Sequence, residues 1–270
     1  MPTYLVTGAS RGLGYAFVKT LASDPLNTVI GLARNKKATE ERLHADGIQN
    51  VHVLSADITD KAALKLAAEE ARRILGSKGL DVLINNAAYA FGPTGLKSLQ
   101  DFEQDVESVV ADTQKNFDIN VYGTLQAVFA FLPLIREGGL KKVVAISTAM
   151  SDLEFTNETG LYNGAAYSAS KAALNMFFAK LSAAYKDQGI LFMSLCPGVV
   201  NTQETEPKLS DDELKVFQVV NEKFTAYAPN FRPLQPVESA QRCLAAIDQS
   251  SLAKGHGGSF RSQNGTGRWL

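Results

Sequence analysis

The amino-acid sequence predicts an α/β protein, a parallel sheet of about seven strands with helices on both faces. Strand-like and helix-like segments alternate from one end of the chain to the other. Several strand-like segments are continuous apolar runs, the pattern of strands covered on both faces. No repeat, low-complexity tract or linker breaks the alternation, so residues 1–270 are expected to form a single domain.

Thr3–Thr7 reads as a short buried strand. The turn Gly8-Ala9-Ser10-Arg11-Gly12-Leu13-Gly14 follows, then a helix over about Gly14–Ser23. Thr28–Ala33 is the second strand, Asn35–Asp46 a helix, and Val51–Ser55 the third strand. Asp60–Leu75 is a strongly amphipathic helix, with Asp60 at its start and Gly76 just past its end. Asp81–Ile84 is the fourth strand, and a long helical stretch covers Leu99–Ile135 with Pro133 near its end. Lys142–Ser147 is strand five, Ala165–Asp187 a long helix and Ile190–Cys196 strand six. Helices near Asp211–Lys223 and Pro236–Gln249 and a last strand near Gly258–Gln263 complete the pattern.

Composition excludes several kinds of function. Apolar residues are 45% and charged residues 20%, as in an ordinary globular protein. A net charge of −1 gives no electrostatic case for nucleic acid or an anionic membrane as a partner. Cys196 and Cys243 make no disulfide framework, and with only three histidines no metal site is expected. Cys196 ends an apolar run and is expected as a buried thiol. No uninterrupted apolar run is long enough to span a bilayer. Met1–Leu5 enters a strand with no basic leader before it, so no secretory signal and a cytoplasmic location are expected.

The glycine-rich turn joins the first strand to the first helix. Glycines permit positive φ and let backbone N–H groups approach a ligand closely. A helix N-terminus placed after such a turn attracts phosphate through its dipole and free N–H groups. In this position the turn predicts a dinucleotide pyrophosphate site on a Rossmann-type doubly wound sheet. Further along, Tyr167 and Lys171 are four residues apart on a predicted helix, one turn from each other on one face. A free tyrosine titrates near ~10. A neighbouring ammonium favours the phenolate, so the pair is expected to have a lowered phenol pKa and to serve as an acid/base device.

The spacing Gly8-x-x-x-Gly12-x-Gly14 closely resembles the classical short-chain dehydrogenase/reductase family. The resemblance covers essentially the whole chain. It rests on Thr7–Gly14, Asp57, Asn85-Asn86-Ala87, Asn120, Tyr167/Lys171 and Pro197-Gly198, all in the family's order. Any one of these is weak; the ordered set is specific. Among subtypes the chain looks most like single-domain carbonyl reductases, including ketoreductases of fungal secondary metabolism.

The resemblance implies an oxidoreductase that reduces a ketone or aldehyde carbonyl to an alcohol, reversibly, with NADP(H). Its cofactor contacts would be Gly8, Ser10, Arg11, Gly12, Leu13, Gly14, Arg34, Asp57, Ile58, Asn86, Ala87, Tyr167, Lys171, Pro197, Gly198, Val200 and Thr202. NADP preference is read at the end of strand two, where Arg34, Lys36 and Lys37 stand in place of an acid; a guanidinium suits a phosphate. Solvated surface charge is the alternative reading of these cations. Asp57 would lie beside the adenine. Asn86 would line the adenosine side, and Ala88 replaces the family's usual glycine. Asn120 would hold a water that passes protons to Lys171, with Asn116 as a competitor one turn earlier. Thr148 takes the register position of the family's carbonyl-polarising serine, while Ser147 and Ser151 remain candidates. Thr148 lies 19 positions before Tyr167, longer than the family norm, and the extra loop at Asp152–Asn163 would border the substrate. Residues 203–236 occupy the substrate-covering region. There Phe217, Phe224, Tyr227 and Phe231 would either line an apolar pocket or pack the cover onto the domain. The Trp269-Leu270 end resembles the family's, which implies a complete chain, and a homodimer or homotetramer through the long helices is expected. The competing reading is a catalytically silent NADP-binding regulatory or scaffold protein on the same fold.

Overall fold

The computed structural model describes residues 1–202 and 210–269. Of the expected substrate-covering segment, residues 203–209, Pro207 among them, lie outside the described residues, as does Leu270. Seven parallel strands form one sheet: β1 Thr3–Thr7, β2 Thr28–Ala33, β3 Val51–Ser55, β4 Val82–Asn85, β5 Lys142–Ile146, β6 Leu191–Cys196 and β7 Phe260–Ser262. Their spatial order is β3-β2-β1-β4-β5-β6-β7. The order reverses between β1 and β4, and such a switch point opens a crevice beyond the C-terminal strand ends.

Both faces of the sheet are covered. α1 Gly12–Ala22, α2 Lys36–Ala45 and α9 Pro236–Gln249 lie on one side, where Phe17, Leu43, Cys243 and Ile247 pack on Val6, Val29 and Met193. α3 Lys61–Leu75, α5 Thr124–Glu137 and α7 Ala165–Tyr185 lie on the other. There Leu64, Ala71, Phe131, Leu174 and Phe178 pack on Leu5, Leu83 and Phe192. The central strands are buried along their whole length, as their continuous apolar runs require.

Three expectations need correction. The stretch Leu99–Ile135 is not one regular helix. A 3-10 turn at Leu99–Phe102 comes first, and α4 Val106–Asn116 begins at the Asp105 cap. A π-helical turn at Phe117–Gly123 then joins it to α5, with Pro133 inside α5. Single π turns inside helices recur at functional sites. Val106–Glu137 is by length and composition able to cross a membrane, although it is no uninterrupted apolar run, since Asn116, Asp118, Asn120 and Gln126 lie in it. More than half of its most apolar window is buried inside the fold, which accounts for the apolar composition of a core helix. The extra loop before Tyr167 holds a short helix of its own, α6 Leu153–Thr159, capped by Asp152. Helix α8, Asp211–Tyr227, runs one turn longer than expected and lies against α6.

Candidate active site

The expected site residues gather along the C-terminal ends of β1, β2, β4, β5 and β6. Gly8 has φ 70°, and a Cβ on it would stand 2.9 Å from the Ala87 Cα. A Cβ on Gly14 would collide with the Gly8 carbonyl and the Asn86 amide. The turn is therefore open only to glycine at both points. Asn86 Nδ2 donates to the Thr7 and Gly8 carbonyls at 3.0 and 3.4 Å. The backbone N–H groups of Asn86 and Ala87 both donate to the Thr7 hydroxyl at 3.0 Å. The ends of β1 and β4 are thus tied into one rigid floor. Arg11 occupies the cap position of α1 without a side-chain capping bond. Ser10 and Arg11 are exposed on the turn, while Leu13 packs into the core.

Arg34 projects from the end of β2 with 78% of its side chain exposed, 3.9 Å from Asp57 Oδ2. That distance is beyond hydrogen-bonding range. Lys36 instead faces Glu40 and Glu70, and Lys37 faces Glu41. Burial acts to raise the Asp57 carboxyl, but the Thr59 N–H and hydroxyl, with Arg34, hold it below its ordinary value. Ile58 is buried, packed where a Cβ on Gly123 of the π turn would reach.

On the opposite side, Pro197-Gly198 follows β6, with the Pro197 carbonyl fixed by the Ser239 hydroxyl at 2.8 Å. Val200 forms an isolated parallel bridge with Leu234. The bridge uses the Val199 carbonyl and the Asn201 N–H, so the N–H and C=O of Val200 itself point away from it. Thr202 closes on the glycine-rich turn, its Cβ 3.3 Å from where a Cβ on Gly12 would lie. The crevice is therefore bounded by uncommitted backbone groups, an uncapped helix start and exposed guanidinium groups. That donor set fits a nicotinamide dinucleotide.

Tyr167 and Lys171 stand on the first turns of α7, above the end of β5. Lys171 is 2% exposed. Its Nζ donates to the Ile146 carbonyl at 2.7 Å and lies 5.8 Å from the centre of the Tyr167 ring. Burial pushes the lysine down to about 8. The phenol departs from expectation. Burial pushes it up, and the adjacent Cys196 adds to the rise, so desolvation outweighs the lysine charge. Cys196 is itself a buried thiol, as expected, pushed up to about 11 by burial against the Gly198 and Ala149 backbone donors.

Asn120 sits in the π turn and is wholly buried. Its Oδ1 accepts from the Tyr89 N–H at 2.8 Å, and its Nδ2 lies 2.9 Å from the Tyr89 carbonyl. The same Nδ2 faces Asn116 Oδ1 and Ser170 Oγ at 3.2 and 3.0 Å. Asn116 is thus a partner of Asn120 rather than its competitor. Ser170 Oγ donates to the Tyr167 carbonyl at 2.7 Å, which links Asn120 to the turn of α7 that bears Tyr167.

Thr148 is partly exposed, and its hydroxyl accepts the Met150 N–H at 3.3 Å, leaving its own proton available. Ser147 is buried, its hydroxyl 3.4 Å from that of Ser151. Ser151 donates to the Thr148 carbonyl at 2.6 Å and accepts from Asn175 at 2.9 Å. Ser147 and Ser151 are thus engaged in holding the strand end. In the covering segment, Phe224 and Tyr227 pack on Phe155 of α6 and Phe231 packs on Phe224, so they fix the cover to the domain. Phe217 stays 43% exposed. Lys223 of α8 donates to the Thr159 and Gly160 carbonyls at 2.9 Å each, closing the end of α6.

Sequence reasoning missed Phe91, whose ring lies 5.6 Å from that of Tyr167. It falls in Phe91-Gly92-Pro93-Thr94-Gly95, a turn composition that carries no sign of what the ring faces. It also missed Met150 and the buried pair Thr94–Asp112.

A doubly wound sheet with this turn on its first strand and a Tyr/Lys pair above its fifth defines a class of nicotinamide-dependent oxidoreductases. A sequence model described as short chain dehydrogenase matches residues 2–213. A short-chain dehydrogenase/reductase of Aspergillus aculeatus, AacuF, is 43% identical over 272 residues, covering all of both chains. Another from Pestalotiopsis fici, iacC, is 39% identical over 278 residues, again with full coverage. Among solved structures, an NADPH-bound carbonyl reductase from chicken fatty liver superposes with a TM-score of 0.76 at 25% identity, over 100% of this chain and 99% of that one. The chain belongs to the short-chain dehydrogenase/reductase family.

Proposed function

We propose that this oxidoreductase uses NADPH to reduce a ketone or aldehyde carbonyl to an alcohol, with Tyr167, Lys171, Thr148 and Asn120 as its working residues. The observation that carries the reading is the Tyr167–Lys171 pair at the crevice, tied by Lys171 to the end of the strand that leads into the partly exposed Thr148. A nicotinamide held in this crevice would supply the hydride. Thr148 donates a hydrogen bond to the substrate carbonyl oxygen and polarises it. Tyr167 donates its proton to the same oxygen as negative charge builds there. At neutral pH the phenol is in the acid form that reduction requires, and burial moves its pKa further up. Lys171 is the nearby cation that favours the phenolate left behind. The Asn120 side chain is committed to Tyr89, Asn116 and Ser170.

Preference for NADPH is supported by Arg34, whose side chain is 78% exposed beside Asp57, by exposed Arg11, and by the absence of an acid at the end of β2. The relative with NADPH bound agrees with it. Residues 210–236 are the described part of the substrate cover. Exposed Val106 and Val110 on α4, Phe129 on α5, and Met176 and Phe177 on α7 support a homodimer or homotetramer, to be read by light scattering. A cytoplasmic site of action, to be read by fractionation, accords with a reduced NADP pool. The relatives from filamentous fungi accord with a role in secondary metabolism. The test is absorbance loss from NADPH and NADH with a panel of ketones, quinones and aldehydes, with the product identified. Alcohol formation with NADPH supports the reading; tight NADPH binding with no turnover on any member favours a silent binding protein.

A further inference from the structure

Phe91 is placed where packing alone does not explain it. Its φ is 49°, a left-handed backbone that a bulky residue rarely adopts. Such outliers persist only where surrounding structure enforces them, and they cluster at ligand clamps and active sites. Yet 46% of the residue is exposed, so burial of the ring is not what enforces it.

The enforcement comes from polar ties on either side of the turn. Thr94 gives its N–H and its hydroxyl to Asp112 Oδ2 at 3.3 and 2.5 Å. Asp112 is 5% exposed on α4, and Asn116 Nδ2 lies 3.3 Å from its other carboxylate oxygen. The Gly164 N–H donates to the Gly95 carbonyl at 2.8 Å, which joins the same turn to the start of α7. These ties hold the Phe91 ring 5.6 Å from the Tyr167 ring, with the planes inclined at 33°. Gly164 marks the corner of the space. A Cβ on it would lie 3.3 Å from Phe91 Cε1 and 2.8 Å from Met150 Cε. Met150 is itself bonded through its N–H to the Thr148 hydroxyl. An aromatic ring and a thioether methyl thus meet at this corner, the ring against that of Tyr167 and the methyl on the residue whose N–H bonds the Thr148 hydroxyl.

We infer that Phe91 and Met150 form an aromatic-selective wall, and that the substrate is a ketone whose carbonyl is attached to or fused with a flat aromatic ring. The inference rests on the carbonyl-reductase reading above and names its substrate class. Rings stack offset or tilted with centroids ~4.5–7 Å apart, and sulfur sits favourably at a ring edge. A substrate ring meeting the exposed edge of Phe91, rather than the face that Tyr167 takes, keeps an attached carbonyl on the Tyr167 side of the wall. A saturated ring of equal size keeps the volume and loses both contacts.

The test compares 1-tetralone with 1-decalone, alike in skeleton and different in aromaticity, using wild type, Phe91→Tyr, Phe91→Leu and Phe91→Asn. Wild type and Phe91→Tyr should favour tetralone in kcat/KM by up to ~10-fold, the size of one aromatic pair. Phe91→Leu and Phe91→Asn should bring the ratio toward one, chiefly through KM for tetralone. Asparagine suits the left-handed backbone, so an undiminished melting midpoint in Phe91→Asn shows that the turn remains folded. Equal turnover of both ketones by wild type, or an unchanged ratio in the leucine and asparagine variants, overturns the wall and leaves the reductase reading standing. Turnover of neither, with none across the wider panel, overturns both.

Discussion

Replacing Lys171 with methionine should abolish turnover and change the pH dependence of stability. Lys171 is buried, with one hydrogen bond to the Ile146 carbonyl, and burial brings its pKa to about 8 from 10.5. A depressed lysine pKa means that the folded chain holds that proton less tightly than the unfolded chain. Between about pH 8 and pH 10.5 the unfolded chain carries the extra proton, so unfolding free energy rises with pH across that window. At pH 7 the buried charge costs the fold about 3 kcal/mol, an order-of-magnitude figure from the shift at ~1.36 kcal/mol per unit. Methionine removes that cost but orphans the Ile146 carbonyl, worth ~1–3 kcal/mol. The net change at pH 7 therefore lies between about zero and ~2 kcal/mol in favour of the variant. The sharper signature is the slope. From pH 7 to 9.5 the wild-type protein should gain about 2 kcal/mol relative to Lys171→Met. Stopping at 9.5 avoids unfolded-state tyrosine ionisation, which lowers stability as pH rises further because the Tyr167 pKa is raised in the fold. Urea unfolding of both proteins at half-unit pH steps reads this directly. Parallel profiles would refute the claim that Lys171 is a charge held in the fold against its solvation.

Other substitutions probe the remaining parts of the site. Gly14→Ala drives a Cβ into the Gly8 carbonyl, so it should cost ~1–3 kcal/mol in urea unfolding and remove NADPH fluorescence enhancement. Arg34→Asp should raise KM for NADPH by ~10–100-fold, as for loss of a charge-assisted hydrogen bond, and leave KM for NADH unchanged or lower. Lys223→Met removes the two bonds that close α6. Amide exchange in α6 should quicken by ~5-fold, in line with about 1 kcal/mol of lost hydrogen bonding, with little change at β4 and β5.

The sheet was the most legible part of the chain. Thr28–Ala33 matches β2 residue for residue, because a strand covered on both faces leaves an apolar run bounded by turn residues, and Val51–Ser55 matches β3, an edge strand that buries Val53 and Leu54 and leaves His52 and Ser55 exposed. The Asp60 cap was equally plain, and its carboxylate accepts the Ala62 and Ala63 N–H groups. Helix α6 was not legible. It has seven residues, too few to show a period, and its end is closed by Lys223, 64 and 63 positions away from Thr159 and Gly160. The break before α4 is set by the Asp105 cap and the Thr94–Asp112 tie, neither of which interrupts the apolar pattern. In the site, spacing placed Tyr167 and Lys171 together, but spacing holds no information on burial. The lysine charge was therefore expected to decide the phenol pKa, whereas desolvation decides it. The ring of Phe91 reaches Tyr167 only through a left-handed turn that no local preference of phenylalanine predicts.

The most direct measurement is single-turnover reduction of a ketone by Tyr167→Phe preloaded with NADPH, against wild type, with NADPH affinity measured on the same samples. Loss of the phenolic proton donor should slow the chemical step by ~10²–10⁴-fold while affinity for NADPH stays the same. A phenylalanine variant that reduces the ketone at the wild-type rate would contradict the assignment of Tyr167 as the acid.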